Sequence, residues 1–344
     1  MAANSPPRQL TATGALTIAG GIALFAWMLY RVGPDVVARG LRQIGWGILV
    51  IVVIAGLRFA MRAMAWMLCV EPPHRLTFRE AFAAVVAGDA LGNATPLGPL
   101  VGEPAKAAFV RQRLPIATAL TALAIENVLY TLSAAAMIAA GMIALLFRFE
   151  LPEALREAGE LALVGVLALF AVAMWVLWRR PAIVSASIGA VSRRSTRRDS
   201  RLERVRMLER QVYTFASRRR AAIVPLIGTE LGFHALGVAE AHVALTFLYG
   251  EAPPLLTSFI LETVNRLITV VFKFVPMQVG VNEAGTALVT QVLGLGAPPG
   301  VTLGVVRKVR MLFWGSAGVL LLVRRGLSAR RILEDSEFRT VGEA

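Results

Sequence analysis

Two arginines inside an apolar stretch are the first residues whose types and spacing could do chemistry. Arg58 and Arg62 lie four residues apart, so they share one face of a helix, and Arg58 falls near the middle of the run at 46–70. A charge at the centre of a bilayer costs roughly 2.5–3.5 kcal/mol, so it needs a partner or a water-filled cavity. Paired guanidinium groups suit a lipid phosphate. The alternatives are pairing of Arg58 with Asp89 or Glu103, and extension of Arg62 toward the headgroups.

A second polar group lies in the segment 81–103 and directly after it. This segment is apolar overall but is broken by Gly, Pro and Asn near its midpoint, which a lipid-facing helix would not tolerate. Non-helical backbone there would also offer free N–H groups to a phosphate. The alternative is that Asn93 and Glu103 cap helix ends. The side chains predicted to meet a ligand in this segment are Asp89, Asn93, Glu103 and Lys106.

A polar stripe marks the second broken segment, 255–295. Its members recur at three- and four-residue spacing, so they share a helix face that must look inward. We predict that the stripe lines a headgroup path together with Glu283 and a basic group at 307–310. The alternative is a buried ion-pair set between Glu283 and that basic group. The stripe consists of Glu262, Asn265, Arg266, Thr269 and Lys273, and the basic group of Arg307, Lys308 and Arg310.

Four further residues raise the question of a metal site or a proton relay: Glu230, His234, Glu240 and His242. Their spacing does not match the HExxH arrangement of zinc enzymes. Histidines on an apolar helix are more commonly hydrogen-bonded core residues, so we predict no metal site and no cofactor. Cys69 is the single cysteine, which excludes an intramolecular disulfide and a cysteine-based metal cluster.

The composition indicates the environment of these charges. The chain has 344 residues, 56% of them hydrophobic, and a mean hydropathy of +0.65, above the level of ordinary soluble domains. Because lipid offers no partner to backbone N–H and C=O groups, long apolar runs must be spanning helices. We predict an all-α, polytopic integral membrane protein with one transmembrane domain over 1–344 and two broken or re-entrant segments. The predicted full spans are 14–30, 46–70, 116–147, 161–178, 221–248 and 300–323.

The basic residues predict the orientation. The net charge is +14, but the basic residues lie in short loops between apolar runs, so no nucleic-acid partner is expected. The linker 179–220 holds thirteen arginines and three acidic residues, which is typical of a cytoplasmic loop. Both termini, including the tail 324–344, are then predicted to be cytoplasmic. The run 14–30 is not followed by a small-residue cleavage site, so we expect it to remain as the first span.

The two broken segments resemble each other. Pro96 precedes Glu103 by seven residues, and Pro276 precedes Glu283 by seven residues. Three spans separate the copies, so the second would enter from the opposite face, as in the inverted repeats of many transporters. The predicted units cover about 46–147 and 221–323. Chance similarity of Pro- and Gly-rich turns is the alternative. About ten positions into the span that follows each copy lie polar or charged residues: Glu126 with Asn127 after the first copy, and the basic group at 307–310 after the second.

Three motifs spread over most of the chain resemble those of one known family. They are GDALGNATPLGPLVGEPAKAAFVRQRLP at 88–115, Arg58-x-x-x-Arg62 followed by Trp66, and Pro276-x-x-x-Gly280-x-x-Glu283. The family is the flippase-like transmembrane region of lysylphosphatidylglycerol synthases, which also occurs as stand-alone proteins. In the two-domain synthases this region moves aminoacylated phosphatidylglycerol between leaflets. Only 21 residues follow Val323, so we do not expect the aminoacyltransferase activity of those synthases.

The resemblance implies a lipid flippase or lipid transporter in a bacterial inner membrane, and not an enzyme. Stand-alone relatives imply an anionic, polyprenyl-linked or hopanoid-type lipid as the partner and substrate. A membrane enzyme acting on a lipid-linked phosphate, a small-solute transporter and a non-transporting partner subunit are the alternatives. The residues predicted to bind substrate are Arg58, Arg62, Asp89, Asn93, Glu103, Lys106, Glu126, Arg266, Lys273, Glu283, Arg307 and Arg310.

Overall fold

The computed structural model describes residues 42–94, 98–179, 210–272 and 281–325, together with Asp35, Ala38 and Gln278. All regular secondary structure in these residues is helical, which confirms the predicted all-α class. The main helices are α1 (Gly47–Cys69), α2 (Phe78–Ala94), α3 (Gly98–Phe109), α4 (Ile116–Arg148), α5 (Glu153–Arg179), α6 (Arg220–Tyr249), α7 (Leu255–Val271), α8 (Val281–Val292) and α9 (Ala297–Arg324).

Four of the described helices are long and apolar enough to cross a membrane. They are α1, α4, α6 and the Glu153–Val176 part of α5, with mean hydropathies between 1.5 and 2.2 over their most apolar windows. They coincide with the spans predicted at 46–70, 116–147, 161–178 and 221–248. The predicted span 14–30 lies outside the described residues.

The predicted span 300–323 forms a helix, α9, but this helix is less apolar than the four helices named above. Its 28 residues extend about 42 Å, which exceeds the hydrocarbon thickness of roughly 30 Å. Three basic residues, Arg307, Lys308 and Arg310, fall within one turn and lower its hydropathy. Arg307 and Lys308 are only 5% and 2% exposed, so protein rather than lipid surrounds these charges.

Helices α2 and α3 form a tight antiparallel hairpin made possible by glycine. A Cβ added to Gly102 would lie 2.9 Å from the carbonyl oxygen of Gly88, and one added to Gly92 would lie 3.2 Å from that of Gly98. The two backbones therefore touch directly, with no room for side chains between them. This contact lets a broken helical segment pack as one unit in the bundle.

A capping box starts α2. The Thr77 hydroxyl donates to the Glu80 carboxylate at 2.7 Å, and the Glu80 backbone N–H donates back to that hydroxyl at 3.4 Å. Arg113, which follows α3, donates to the same carboxylate at 3.0 Å. The first turn of α2 is thus tied to the chain that leaves α3, and both lie at the same end of the hairpin.

One end of the bundle gathers the C-terminal ends of α1, α3 and α9 with the N-terminal end of α6. Arg219, just before α6, donates to the carbonyl oxygen of Val70 at 3.3 Å. Arg325, just after α9, donates to the carbonyl oxygen of Phe109 at 3.3 Å, and its guanidinium lies 4.5 Å from the Phe109 ring centroid. The α2–α3 hairpin therefore starts and finishes at this end.

The opposite end holds the C-terminal end of α6 and the connection between α8 and α9. The Tyr249 hydroxyl donates to the carbonyl oxygen of Leu295 at 2.7 Å. Helix α7 begins at Leu255, six residues after Tyr249, and α8 finishes at Val292. The α7–α8 pair consequently starts and finishes at the end opposite to that of the α2–α3 hairpin.

Helix α5 lies at the outside of the bundle and packs mainly on α4. Only 6% of the residues in its most apolar stretch are buried within the protein. Large apolar side chains such as Leu161, Val164 and Trp175 are exposed, as expected of a helix that faces lipid. None of the α5 side chains that the structure describes lines the polar cavity within the bundle.

Candidate functional site

Glu262 is the centre of a buried ion-pair network. Its side chain is only 2% exposed, yet it accepts hydrogen bonds from arginines on three helices. The donors are Arg266 of α7 at 2.9 Å, Arg307 of α9 at 3.2 Å and, at the longer distance of 3.5 Å, Arg58 of α1. Glu262 and Arg266 lie one turn apart on α7, so the part of the predicted polar stripe that lies in α7 faces inward.

Glu240 of α6 extends the network. It accepts a hydrogen bond from Arg58 at 2.8 Å and another from Arg310 of α9. Arg58 is thus paired with Glu240 and Glu262, whereas the sequence suggested Asp89 or Glu103 as its structural partner. That alternative is wrong because α6 and α7 supply buried carboxylates to the face of α1 that carries Arg58.

Arg62 is held one turn further along α1. Its Nε lies 2.9 Å from Oε1 of Glu126, and its Nη2 donates to Oε2 of the same carboxylate at 3.1 Å. This two-point contact fixes the guanidinium plane. The Arg62 side chain is 14% exposed, so it does not extend toward the headgroups.

Two aromatic rings, Tyr130 of α4 and Phe233 of α6, order three of the arginines. The guanidinium carbon of Arg62 lies 4.2 Å from the Tyr130 centroid, and that of Arg58 lies 4.7 Å from the Phe233 centroid. Arg266 lies 5.0 Å from the Phe233 centroid and donates to the Tyr130 hydroxyl at 2.8 Å. Cation–π contact of this kind is stronger where water is excluded, so these rings help to hold the arginines in place.

The α2–α3 hairpin carries its own polar contacts. The Asn93 amide donates to Asp89 at 2.8 Å, and Lys106 donates to Glu103 at 2.7 Å. Both contacts join side chains within one helix. Among the described residues neither Asn93 nor Glu103 caps a helix end, so the capping alternative is not observed there.

These residues surround a cavity of about 350 Å³, within the usual size range of small-molecule sites. Six basic and two acidic side chains line it, and the three carboxylates of Glu126, Glu240 and Glu262 pair with the five lining arginines. Of the twelve predicted site residues, nine line this cavity: Arg58, Arg62, Asp89, Asn93, Glu103, Lys106, Arg266, Arg307 and Arg310.

Three predicted residues are not among the described residues that line the cavity. Glu126 is buried behind Arg62, to which it is bonded. Glu283 of α8 forms an ion pair with Lys308 of α9. A Cβ added to Gly304 of α9 would lie 3.1 Å from the Cα of Glu283, so this glycine lets the two helices approach closely. The expected ion pair between Glu283 and the basic group is therefore present, but through Lys308. Lys273 lies outside the described residues.

Sequence reasoning missed several cavity residues. Tyr130 lies four residues after Glu126, on the same helix face, and this spacing could have indicated it. Phe233 had no such signal, because an aromatic residue on an apolar helix resembles any core residue. Asn265 and Thr269 of the polar stripe, predicted to line a headgroup path, do line the cavity. The other uncharged polar or aromatic lining residues are Phe59, Asn127, Gln278, Asn282 and Trp314.

The histidines belong to hydrogen-bonded packing. His234 Nε2 lies 3.0 Å from the Ser133 hydroxyl, which donates to Glu230 at 3.1 Å. His242 Nδ1 lies 3.1 Å from the Ser258 hydroxyl. Within the described part of the chain, no three His, Cys, Asp or Glu side chains come together as a possible metal site.

Fold and site together define an all-helical integral membrane protein with a charged internal cavity. The family model described as "Lysylphosphatidylglycerol synthase TM region" matches residues 13–317, and the chain belongs to this family. The match confirms the resemblance found in the sequence motifs. Comparisons with curated proteins and with solved structures gave no significant match.

Proposed function

We propose that this protein is a lipid flippase or lipid transporter whose cavity receives the headgroup of an anionic, polyprenyl-linked or hopanoid-type lipid. The observation that carries the proposal is the group of arginines, ion-paired with buried carboxylates, that lines a cavity among membrane helices. Buried charges are rare in membrane proteins and usually mark a substrate or ion pathway. Membership in a family of lipid-related membrane regions supports the same function. The proposal assigns no covalent chemistry to the chain.

The ion pairs supply a mechanism for loading and release. Arg58 and Arg310 share Glu240, and Arg62 is paired with Glu126. An anionic headgroup offers alternative acceptors, so arginines exchange protein carboxylates for the ligand and return to them when it leaves. The acyl or isoprenoid tails remain in the bilayer throughout.

Alternating access is proposed to use the two predicted units, 46–147 and 221–323. The α2–α3 hairpin and the α7–α8 pair start from opposite ends of the bundle, which supports an inverted repeat with two re-entrant segments. Both contribute to the cavity, for example through Glu103 and Arg266. Rocking of one unit against the other would open the cavity to one leaflet at a time.

The end of the bundle that holds Arg219 and Arg325 is proposed to face the cytoplasm of a bacterial inner membrane. Basic residues accumulate at this end, including Arg111 and Arg113 after α3. The opposite end carries acidic residues such as Glu251. This distribution follows the positive-inside rule and supports cytoplasmic termini.

Transport of a fluorescent phosphatidylglycerol in proteoliposomes tests the proposal. Dithionite quenches only the outer leaflet, so its time course reports translocation. Arg58→Ala and Glu103→Ala should each slow translocation roughly tenfold or more, as expected when one charge-assisted contact is lost. Arg156→Ala is the matched control, because Arg156 lies on the peripheral helix α5 and its side chain is 63% exposed.

Each variant is first checked for a monodisperse elution profile and a thermal transition close to that of the wild-type protein. Glu103 is the safer of the two site positions, because its side chain is 23% exposed. If folded Arg58→Ala and Glu103→Ala both move lipid at the wild-type rate, or if the wild-type protein moves none of the lipid classes named above, the proposed function is wrong.

A further inference from the structure

Glu230 of α6 is a buried carboxylate that takes no part in the described ion pairs. Its Oε2 accepts a hydrogen bond from Ser133 of α4 at 3.1 Å, whereas its Oε1 has no partner among the described residues. His234, one turn further along α6, contacts the same hydroxyl and keeps its Nδ1 without a described partner. Glu230 and His234 are only 4% and 7% exposed. Buried acidic and histidine side chains in membrane helices commonly serve as proton relays.

The hydrogen bonds of Ser133 accommodate an additional proton on Glu230. The Ser133 hydroxyl lies 3.0 Å from the carbonyl oxygen of Tyr130 and 3.1 Å from Oε2 of Glu230, and its single proton can be donated to only one of them. If Glu230 carries a proton, it donates that proton to Ser133. The Ser133 proton is then free for the Tyr130 carbonyl, so both acceptors are served.

Tyr130 joins this cluster to the cavity. Its ring lies 4.2 Å from the guanidinium carbon of Arg62, and its hydroxyl accepts a hydrogen bond from Arg266 at 2.8 Å. The same ring is nearly parallel to that of His234, with 6.2 Å between the centroids. Charges interact strongly over such distances where water is excluded, so a charge that enters the cavity acts on the cluster.

Arg62 and Arg266 provide the electrostatic link. Both arginines line the cavity, and the positive charge of each stabilises a negative charge on Glu230. An anion bound in the cavity offsets this positive charge, so it favours proton binding at Glu230. By linkage, the proton favours binding of the anion by the same factor. The other charged or titratable groups of the described helices that act on Glu230 or contact its cluster are Cys69 of α1, Glu126 and Tyr130 of α4, and His234 of α6.

We infer that Glu230, together with Ser133 and His234, forms a proton-binding site that couples transport to a proton gradient. The inference rests on the proposed function and adds its energy source. Glu230 takes up one proton from the side to which the cavity is open when an anionic headgroup enters, and releases it on the other side when the headgroup leaves. Lipid and proton therefore move in the same direction. For a lipid with a single negative charge, the cycle moves no net charge.

The first test follows fluorescent phosphatidylglycerol in phosphatidylcholine proteoliposomes, with dithionite quenching to report the outer leaflet. A proton gradient of about tenfold is imposed, and the membrane voltage is held at zero with potassium and valinomycin. With one proton per lipid, the label should accumulate in the leaflet that faces the alkaline side, up to about tenfold at equilibrium. A proton ionophore should abolish the accumulation. A labelled polyprenyl phosphate is tested in the same way as a second anionic lipid.

The second test does not involve transport. Phosphatidylglycerol is added to the purified full chain in weakly buffered detergent that contains a pH-sensitive dye. Binding should remove protons from the solution, up to about one for each bound lipid.

Glu230→Gln is the informative variant, because glutamine keeps the shape of the side chain and the hydrogen bond from Ser133 but cannot take up a proton. Glu230 is not among the described residues that line the cavity, so translocation without a gradient should stay within about twofold of wild type. Accumulation under the gradient and proton uptake on binding should both be lost. Glu230→Met replaces this variant if it does not fold. Glu160→Gln on α5, which is more than half exposed, is the matched control and should keep both properties.

Three results would overturn the inference. One is a wild-type protein that translocates lipid but does not accumulate it under the gradient, or that translocates only neutral lipids. The second is the absence of proton uptake on binding. The third is retention of both properties in a folded Glu230 variant, which would assign the proton to another group such as Glu126. Each of these results leaves the proposed function standing, whereas a wild-type protein that moves none of the proposed lipids overturns both.

Discussion

Glu262 offers the sharpest test of the ion-pair network, because one carboxylate serves arginines on three helices. In Glu262→Gln the shape of the side chain is kept, but the charge shared by Arg58, Arg266 and Arg307 is removed. The three guanidinium groups then lose a common counterion inside the bundle. Removing one partner of a buried ion pair is strongly destabilising, since the other partner stays buried without compensation.

The structure sets the expected magnitude. Glu262 is 1% exposed and two of its three arginine contacts are 3.2 Å or shorter, so water cannot replace the lost charge without opening the bundle. We expect the free energy of unfolding to fall by roughly 3–5 kcal/mol, the range for breaking a buried ion pair. The matched control is Glu160→Gln on α5, where both partners of the Arg156 pair are more than half exposed. That change should cost about 1 kcal/mol or less.

The assay is unfolding of the purified protein in mixed micelles titrated with SDS, followed by tryptophan fluorescence. The same chemical change is made in Glu262→Gln and Glu160→Gln. The difference between their unfolding midpoints therefore measures how much the Glu262 ion pairs stabilise the fold. A loss for Glu262→Gln within about 1 kcal/mol of the control would refute the reasoning. It would mean that the arginines find other acceptors without cost.

Two further predictions concern the α2–α3 hairpin. Gly102→Ala should destabilise the protein by roughly 1–3 kcal/mol, because the new methyl group meets the carbonyl oxygen of Gly88, and the same SDS titration measures it. Gly165→Ala on α5, where nothing lies within 4 Å, should be neutral or stabilising, and equal effects at both positions would contradict the packing. The hydrogen bond from Thr77 lowers the pKa of Glu80 below its usual 4.5. The ionised Glu80 carboxylate therefore stabilises the fold above pH 4.5, and this stabilisation is lost as the pH falls through the lowered pKa. The stability difference between wild type and Glu80→Gln should therefore shrink as the pH falls from 7 toward 3, and a constant difference would refute the assignment.

The sequence predicted the orientation of side chains correctly where the bilayer excludes charge from its hydrocarbon core. Lipid cannot satisfy a free charge, so Arg58, Arg62 and the polar stripe on α7 had to face inward, and the structure places them there. The same rule separated the broken segments from the lipid-facing spans. Nine predicted site residues consequently line one cavity, although their role in binding a lipid stays a prediction.

The sequence could not supply the partners of those charges. Arg58 is bonded to Glu240 and Glu262, which lie 182 and 204 residues away, and nothing in their spacing connects them. Glu283 shows the same limit from the other side. Its position matches that of Glu103 in the predicted repeat, yet it is paired with Lys308 of α9. Spacing gives the face of a helix, whereas a partner depends on how helices rotate and slide against one another.

The amino-acid sequence by itself determined that this chain is a helical membrane protein with charges hidden from lipid, because hydrophobicity and helix periodicity act over neighbouring residues. Only the tertiary structure decided which carboxylate neutralises each arginine and which donors remain unpaired. Those features arise where α1, α4, α6, α7 and α9 meet, and the contacts between helices far apart in the chain depend on the packing of all of them together.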